Sequence, residues 1–259
     1  MGSGLPLLLL VALATLVSSC DAKLDVDNPI RLVGVGSDSS KINCQSFRVG
    51  VEANNLREWP TIPSYCKSYI KSYLTSKQYG LDIEAVVGAV TNYAVSFNKD
   101  YFLTDVFVFD VEETLLSNLK FLSSSEVNYG TIPFTMESYY AALLNSGATA
   151  LEPILELYNT LIDEEGFQII LISEAPESLR QNLTTILETA GYKGWRQLIL
   201  KGDADNGKTV AQYKSEKRTE LVSRRYRIAG NIGDQWSDLT GENPGIRTFK
   251  VPNPVYYVY

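Results

Sequence analysis

Val106-Phe107-Val108-Phe109-Asp110-Val111-Glu112-Glu113-Thr114-Leu115 sets four strand-favouring apolar residues directly ahead of a cluster of acids. A β-branched and aromatic run of this kind reads as a buried parallel strand. Its C-terminal end carries Asp110 and Glu112 to the sheet edge where ligands bind in open α/β folds. A second strand-to-carboxylate junction follows where residues 227–232 feed Gly233-Asp234-Gln235-Trp236-Ser237-Asp238.

Between and around these junctions the pattern alternates. Residues 66–77, 81–97, 138–144, 151–162, 177–190 and 215–224 read as helices from apolar residues at helical spacing. Residues 167–172 form a continuous apolar strand ending at Ser173, and 198–200 a short one. Residues 249–251 form a last edge strand that Pro252 and Pro254 keep from extending. Strand and helix alternate from residue 105 onward, which predicts a parallel sheet flanked by helices. Residues 22–45 are polar and turn-rich and are expected to run over the surface.

The chain has 259 residues, 45% hydrophobic and 20% charged, enough for one large core with at most a small appendage. A net charge of −7 argues against nucleic acid or an anionic membrane as partner. The basic stretch Lys214, Lys217, Arg218, Arg224, Arg225 and Arg227, interleaved with Glu216 and Glu220, reads as a solvated helix face. The chain has no histidine, which removes imidazole-based triads and nearly all zinc chemistry.

Residues 5–17 are almost wholly apolar but shorter than the ~20 residues of a membrane span. With Ser18-Ser19-Cys20 behind them they read as a secretory signal over 1–22, followed by one domain over 23–259. Removing Cys20 leaves Cys44 and Cys66 as a disulfide pair in an oxidising compartment, with two buried free thiols as the alternative. In a secreted chain Asn182-Leu183-Thr184 is a glycosylation sequon.

Polar groups thus converge on one sheet edge: Asp110 with Glu112, Ser173, Lys214 with Ser215, and Asp234 with Asp238. An oxygen-rich set without His or Cys suits a hard cation such as Mg2+. A dication, a lysine and a hydroxyl around one carboxylate suit phosphoryl transfer, in which the carboxylate can itself be the nucleophile. Plainer roles stand beside these. Ser173 could cap the helix at Glu177, Lys214 could be a surface lysine, Asp238 could bond a loop amide, and Glu113 could favour the start of a turn.

The segments Phe107-Val-Phe-Asp-Val-Glu-Glu-Thr-Leu-Leu-Ser-Asn118, Tyr213-Lys-Ser-Glu-Lys-Arg218 and Tyr226-Arg-Ile-Ala-Gly-Asn-Ile-Gly-Asp-Gln-Trp-Ser-Asp-Leu239 resemble plant acid phosphatases and vegetative storage proteins of the haloacid dehalogenase (HAD) superfamily. So do the region from Cys44 to Cys66, Gly191-Tyr-Lys-Gly-Trp195, and the tail Phe249-Lys-Val-Pro-Asn-Pro-Val-Tyr-Tyr257. The resemblance covers residue 44 to the end. It implies a HAD-like Rossmannoid sheet over 101–259, a helical N-terminal part over 44–100 and a small cap.

The resemblance also implies a Mg2+-dependent acid phosphatase with an acidic optimum, acting on small phosphate esters from the vacuole or cell wall, with homodimers common among its relatives. Asp110 matches the nucleophile and a Mg2+ ligand. Glu112 matches the acid/base position, its backbone carbonyl a further metal ligand. Ser173 and Lys214 match phosphoryl-binding residues, Asp234 a direct metal ligand and Asp238 its support. The family's acid/base residue is Asp, and an arginine often stands where this chain has Ala175 after Glu174. Glu112 adds a methylene of reach and Glu174 a negative charge, so a slow phosphatase is expected. A storage protein with little catalysis is the alternative.

Overall fold

In the computed structural model, which describes residues 42–100 and 102–258, side chains along β1 (Thr104–Phe109) divide between two faces of a sheet. Val106 and Val108 pack on one side with Ile170, Ile172, Tyr213 and Leu221, while Phe107 and Phe109 enter a much larger cluster on the other. The strand is therefore covered twice, as its unbroken apolar run requires. The proposed signal, its cleavage zone and Cys20 lie outside the described residues.

Five parallel strands follow the order β5-β4-β1-β6-β7, with β1 in the centre. The others are β4 (Gln168–Pro176), β5 (Gln197–Lys201), β6 (Tyr226–Gly233) and β7 (Arg247–Lys250). Phe109 pairs in register with Leu171 on β4 and Ile232 on β6, so Asp110, Ser173 and Asp234 all emerge at one edge. Gly230 makes the centre possible, because a Cβ there would lie 2.1 Å from the Phe107 ring. Val251, beyond β7, lies outside the strand but donates to the Gly233 carbonyl at 2.9 Å.

On the smaller face lies α8 (Val210–Ser223). It begins five residues before the expected start, because Thr209 and Gln212 form a capping box ahead of the apolar pattern. On the larger face are α3 (Lys77–Val95) and α6 (Glu152–Asp163). α7 (Arg180–Thr189) links β4 to β5, and α9 (Trp236–Leu239) follows β6. The expected small cap corresponds to the insertion between β1 and α6. It carries β2 (Leu116–Ser117) paired antiparallel with β3 (Thr149–Ala150), plus α4 (Leu119–Leu122) and α5 (Met136–Ser146). Asn182 is exposed in the first turn of α7.

Of the expected surface run over 22–45, residues 22–41 lie outside the described residues and the last two belong to a helix. α1 (Cys44–Glu52) starts inside it, because the Asn43 side chain accepts from the amides of Gln45 and Ser46 at 2.9 and 3.2 Å. Cys44 and Cys66 are joined as a disulfide, with Cα atoms 5.3 Å apart. α2 (Lys67–Leu74) stops before Lys77 because Ser76 caps α3 instead.

Asp82 of α3 ties these helices together. It accepts from Arg48 of α1 at 2.8 Å, Tyr73 of α2 at 2.7 Å and Gln78 at 2.6 Å. Burial opposes its ionisation, but these three donors win and hold the carboxyl below its ordinary 3.8. The stability it contributes is therefore present above that ordinary value and lost as pH falls through the lowered one. Melting temperatures of wild type and Asp82→Asn across pH 3–6 check this: the variant melts lower at pH 6 and the gap closes towards pH 3. A pH-independent gap contradicts it.

Candidate active site

The edge formed by β1, β4 and β6 presents a buried ion cluster. Asp110 follows β1 and its amide donates to the Ile232 carbonyl at 2.9 Å, which fixes it against β6. Lys214, in the second turn of α8, donates to Asp110 Oδ1 and, at 2.6 Å, to Asp238 Oδ1. All three side chains are buried. Lys214 is thus a helical residue reaching inward, where the basic stretch suggested a solvated face.

Asp234 follows β6. Its Oδ2 accepts from Asn253 Nδ2 at 2.5 Å and Gln235 Nε2 at 2.9 Å, and its Oδ1 from Thr114 at 3.4 Å. Asp238 also accepts the Gln235 amide at 2.9 Å, so its loop-amide role and its place in the cluster coexist. Gly233 is obligatory beside it, since a Cβ would meet the Asp238 side chain at 2.5 Å. Asp110, Asp234 and Asp238 each offer an oxygen within 4.8 Å of the others. Asp110 Oδ2 is buried without a hydrogen-bond partner. Clustered carboxylates with one oxygen left over are what a hard dication needs.

Glu112 lies apart from that trio. Its Oε1 accepts the Ser173 hydroxyl at 2.6 Å while Oε2 has no partner. Ser173 in turn accepts the Ala175 amide at 2.9 Å within β4, which runs on to Pro176 past the end its apolar run suggested, and Ser173 does not cap the turn at Glu177. Burial, then the nearby Asp110, pushes the Glu112 carboxyl up to about 8. Burial and the neighbouring Asp238 likewise raise Asp110 well above its ordinary value, and Asp234 to about 7. Lys214 stays a cation: desolvation opposes its charge, but Asp110, Asp238 and Glu112 outweigh it. The cluster pairs titratable groups with contrasting demands for protons, as general acid–base work requires.

Asp110, Glu112, Lys214, Asp234 and Asp238 line a cavity of about 10 Å3 with Glu174, Gln235, Ser237, Tyr256 and Val258. A larger cleft of about 520 Å3, bordered by Leu103, Tyr226, Ile228 and Ile246, lies at the opposite ends of β1 and β6 and has no carboxylate in its lining. The chemistry therefore belongs to the small cavity.

Two groups escaped the sequence pattern. Glu113 lies in a turn, as its plainer reading had it, but it is buried at positive φ and accepts from the Asn118 amide at 2.8 Å, Tyr139 at 2.9 Å and Ser117 at 3.2 Å. It fixes the loop that carries Glu112. Arg218, read as part of a solvated basic face, is instead 1% exposed. It donates to the carbonyls of Asp238 at 2.6 Å, Asn243 at 3.1 Å and Thr240. The basic stretch is thus split, with Lys214 and Arg218, one turn apart, facing inward. Their i, i+4 spacing was the available signal.

The family described as HAD superfamily, subfamily IIIB (Acid phosphatase), matches residues 30–259. Acid phosphatase 1 of Solanum lycopersicum is 40% identical over 218 residues, 84% of this chain and 84% of that protein. Vegetative storage protein 2 of Arabidopsis thaliana is 38% identical over 218 residues, 83% of this chain and 80% of that one. Among solved structures, the class C acid phosphatase of Bacillus anthracis gives a TM-score of 0.59 at 21% identity, covering 73% of this chain and 84% of that one. That structural likeness concerns the fold.

Removing Lys214 leaves buried carboxylates facing each other without a cation. Lys214→Met is expected to lose about 3–5 kcal/mol at pH 7, as for one broken partner of a buried ion pair. Urea unfolding in metal-free buffer measures it, and a loss below about 1 kcal/mol would show the pairing to be incidental.

Proposed function

The chain belongs to the acid phosphatases of HAD subfamily IIIB, and on that premise we propose that it hydrolyses small phosphate monoesters through an aspartyl-phosphate at Asp110. The observation that carries the reading is the buried Asp110 with one oxygen bound to Lys214 and the other unpartnered. The unpartnered Oδ2 attacks phosphorus as the bond to the leaving oxygen breaks. Glu112 delivers its proton to that oxygen. It then takes a proton from the water that attacks phosphorus and releases Asp110 and inorganic phosphate. Lys214 offsets charge on Asp110 and the phosphoryl group. The Ser173 hydroxyl, turned from Glu112, donates to a phosphoryl oxygen.

Five carboxyls (Asp110, Glu112, Glu174, Asp234, Asp238) and one ammonium line this cavity. That balance repels a phosphate dianion and favours a divalent cation. Asp110, Asp234 and Asp238 would hold Mg2+, with the Glu112 carbonyl, and Mg2+ would neutralise charge developing on the transferred group. The disulfide and the exposed Asn182 suit passage through an oxidising, glycosylating compartment, in keeping with a vacuolar or extracellular location.

A second reading, an amino-acid reserve with little catalysis, is favoured by one contact. The Glu112–Ser173 bond occupies the hydroxyl that would otherwise receive the phosphoryl group. Hydrolysis of p-nitrophenyl phosphate at mildly acidic pH, with Mg2+ and with EDTA, separates the two. The enzyme reading predicts hydrolysis that EDTA abolishes, and rates at background in Mg2+ favour the reserve. Glu112→Asp shortens the reach by one methylene and is expected to raise kcat by 10-fold or more, since misplacement of about 1 Å costs on the order of 10²-fold. An unchanged or lower kcat contradicts a misplaced acid.

A further inference from the structure

Asp234 is held by two side-chain amides, each wired to the C-terminal tail. Asn253 donates through Nδ2 to Asp234 Oδ2 while its Oδ1 accepts the Val255 amide at 3.0 Å. Gln235 donates through Nε2 to the same oxygen while its Oε1 accepts the Val258 amide at 3.1 Å. A backbone N–H can bond only the oxygen of a side-chain amide, so both NH2 groups are forced towards the carboxylate. Pro252 and Pro254 limit the backbone on either side of Asn253. Asp234, Gln235 and Asn253 are all buried, so water does not substitute for these bonds.

The two oxygens of Asp234 are therefore unequal. Oδ2 takes both amide bonds, whereas Oδ1 receives only the long bond from Thr114. A carboxylate held through one oxygen by two buried amides keeps a fixed plane, and an oxygen of Asp234 lies within 4.8 Å of oxygens of Asp110 and Asp238. Resting on the metal reading above, we propose that the C-terminal tail is part of the cation site. Asn253, seconded by Gln235 and Val258, is the positioning residue that fixes Asp234 for a divalent cation. Partners of metal ligands commonly govern affinity by 10–100-fold.

Calorimetric titration of Mg2+ alone into the metal-stripped chain, without substrate, tests this. Wild type is expected to bind saturably, with Kd rising 10–100-fold in Asn253→Ala. Val258→Pro removes the amide that orients Gln235 and is expected to raise Kd several-fold. Should Asn253→Ala fail to fold by circular dichroism, Val258→Pro decides. Wild-type affinity in whichever folded variant decides overturns the proposal, even if its melting temperature is lower, because that is a purely structural role. A wild-type chain that binds no Mg2+ overturns the metal reading and this proposal together. Mg2+ binding weakened in the variants, with no phosphate-ester hydrolysis by the Mg2+-loaded wild type, supports this proposal and sinks the enzyme.

Discussion

A lysine ammonium shut between two aspartates governs this molecule. Lys214 touches Asp110 at the end of β1 and Asp238 in α9, so one charge joins the central strand, the helix on the smaller face and the loop beyond β6. Burying such a charge unpaired costs several kcal/mol, so the surrounding backbone must keep both partners in reach. The parallel register of β1 with β6 does so from one side. Arg218 does so from the other, one turn further along α8, by gathering the carbonyls of residues 238–243. Gly233 leaves the room Asp238 needs. The sheet, α8 and the loop after β6 thus answer to a single electrostatic demand.

That demand is met only in part. The cavity retains more carboxyls than one lysine can balance, and burial, then the neighbouring carboxylates, raises the proton affinities of Asp110, Glu112 and Asp234. A protein has two ways to settle such an excess: bind protons or bind a cation. The first suits a reserve protein that merely retains the fold. The second suits a phosphatase, where the excess is what draws the cation. Glu112 stands at the fork, because it accepts from Ser173, the hydroxyl that a phosphoryl group would otherwise engage.

How much of this was legible in the sequence depended on the range of the interaction. The doubly covered β1 and the convergence of Asp110, Ser173 and Asp234 were legible, because unbroken apolar runs and strand-to-polar junctions are local signals. The early starts of α1 and α8 were missed because caps, not apolar spacing, set those boundaries. Arg218 was misread because a buried guanidinium satisfied by distant carbonyls has the same local sequence as a solvated one. Asn253 was visible only as part of a family-like tail. Its 19-residue separation from Asp234 gave no periodic cue to the bond between them.

In the proposed mechanism the decisive chemical event is acyl-phosphate formation on one aspartate oxygen. Acid quenching during turnover of an aryl phosphate, borohydride reduction and peptide mass spectrometry would locate it, since reduction of an aspartyl-phosphate converts that residue to homoserine. Homoserine at residue 110, absent when substrate is omitted, is the predicted result. Sustained turnover with Asp110 recovered unmodified, or with the label on another residue, would contradict it.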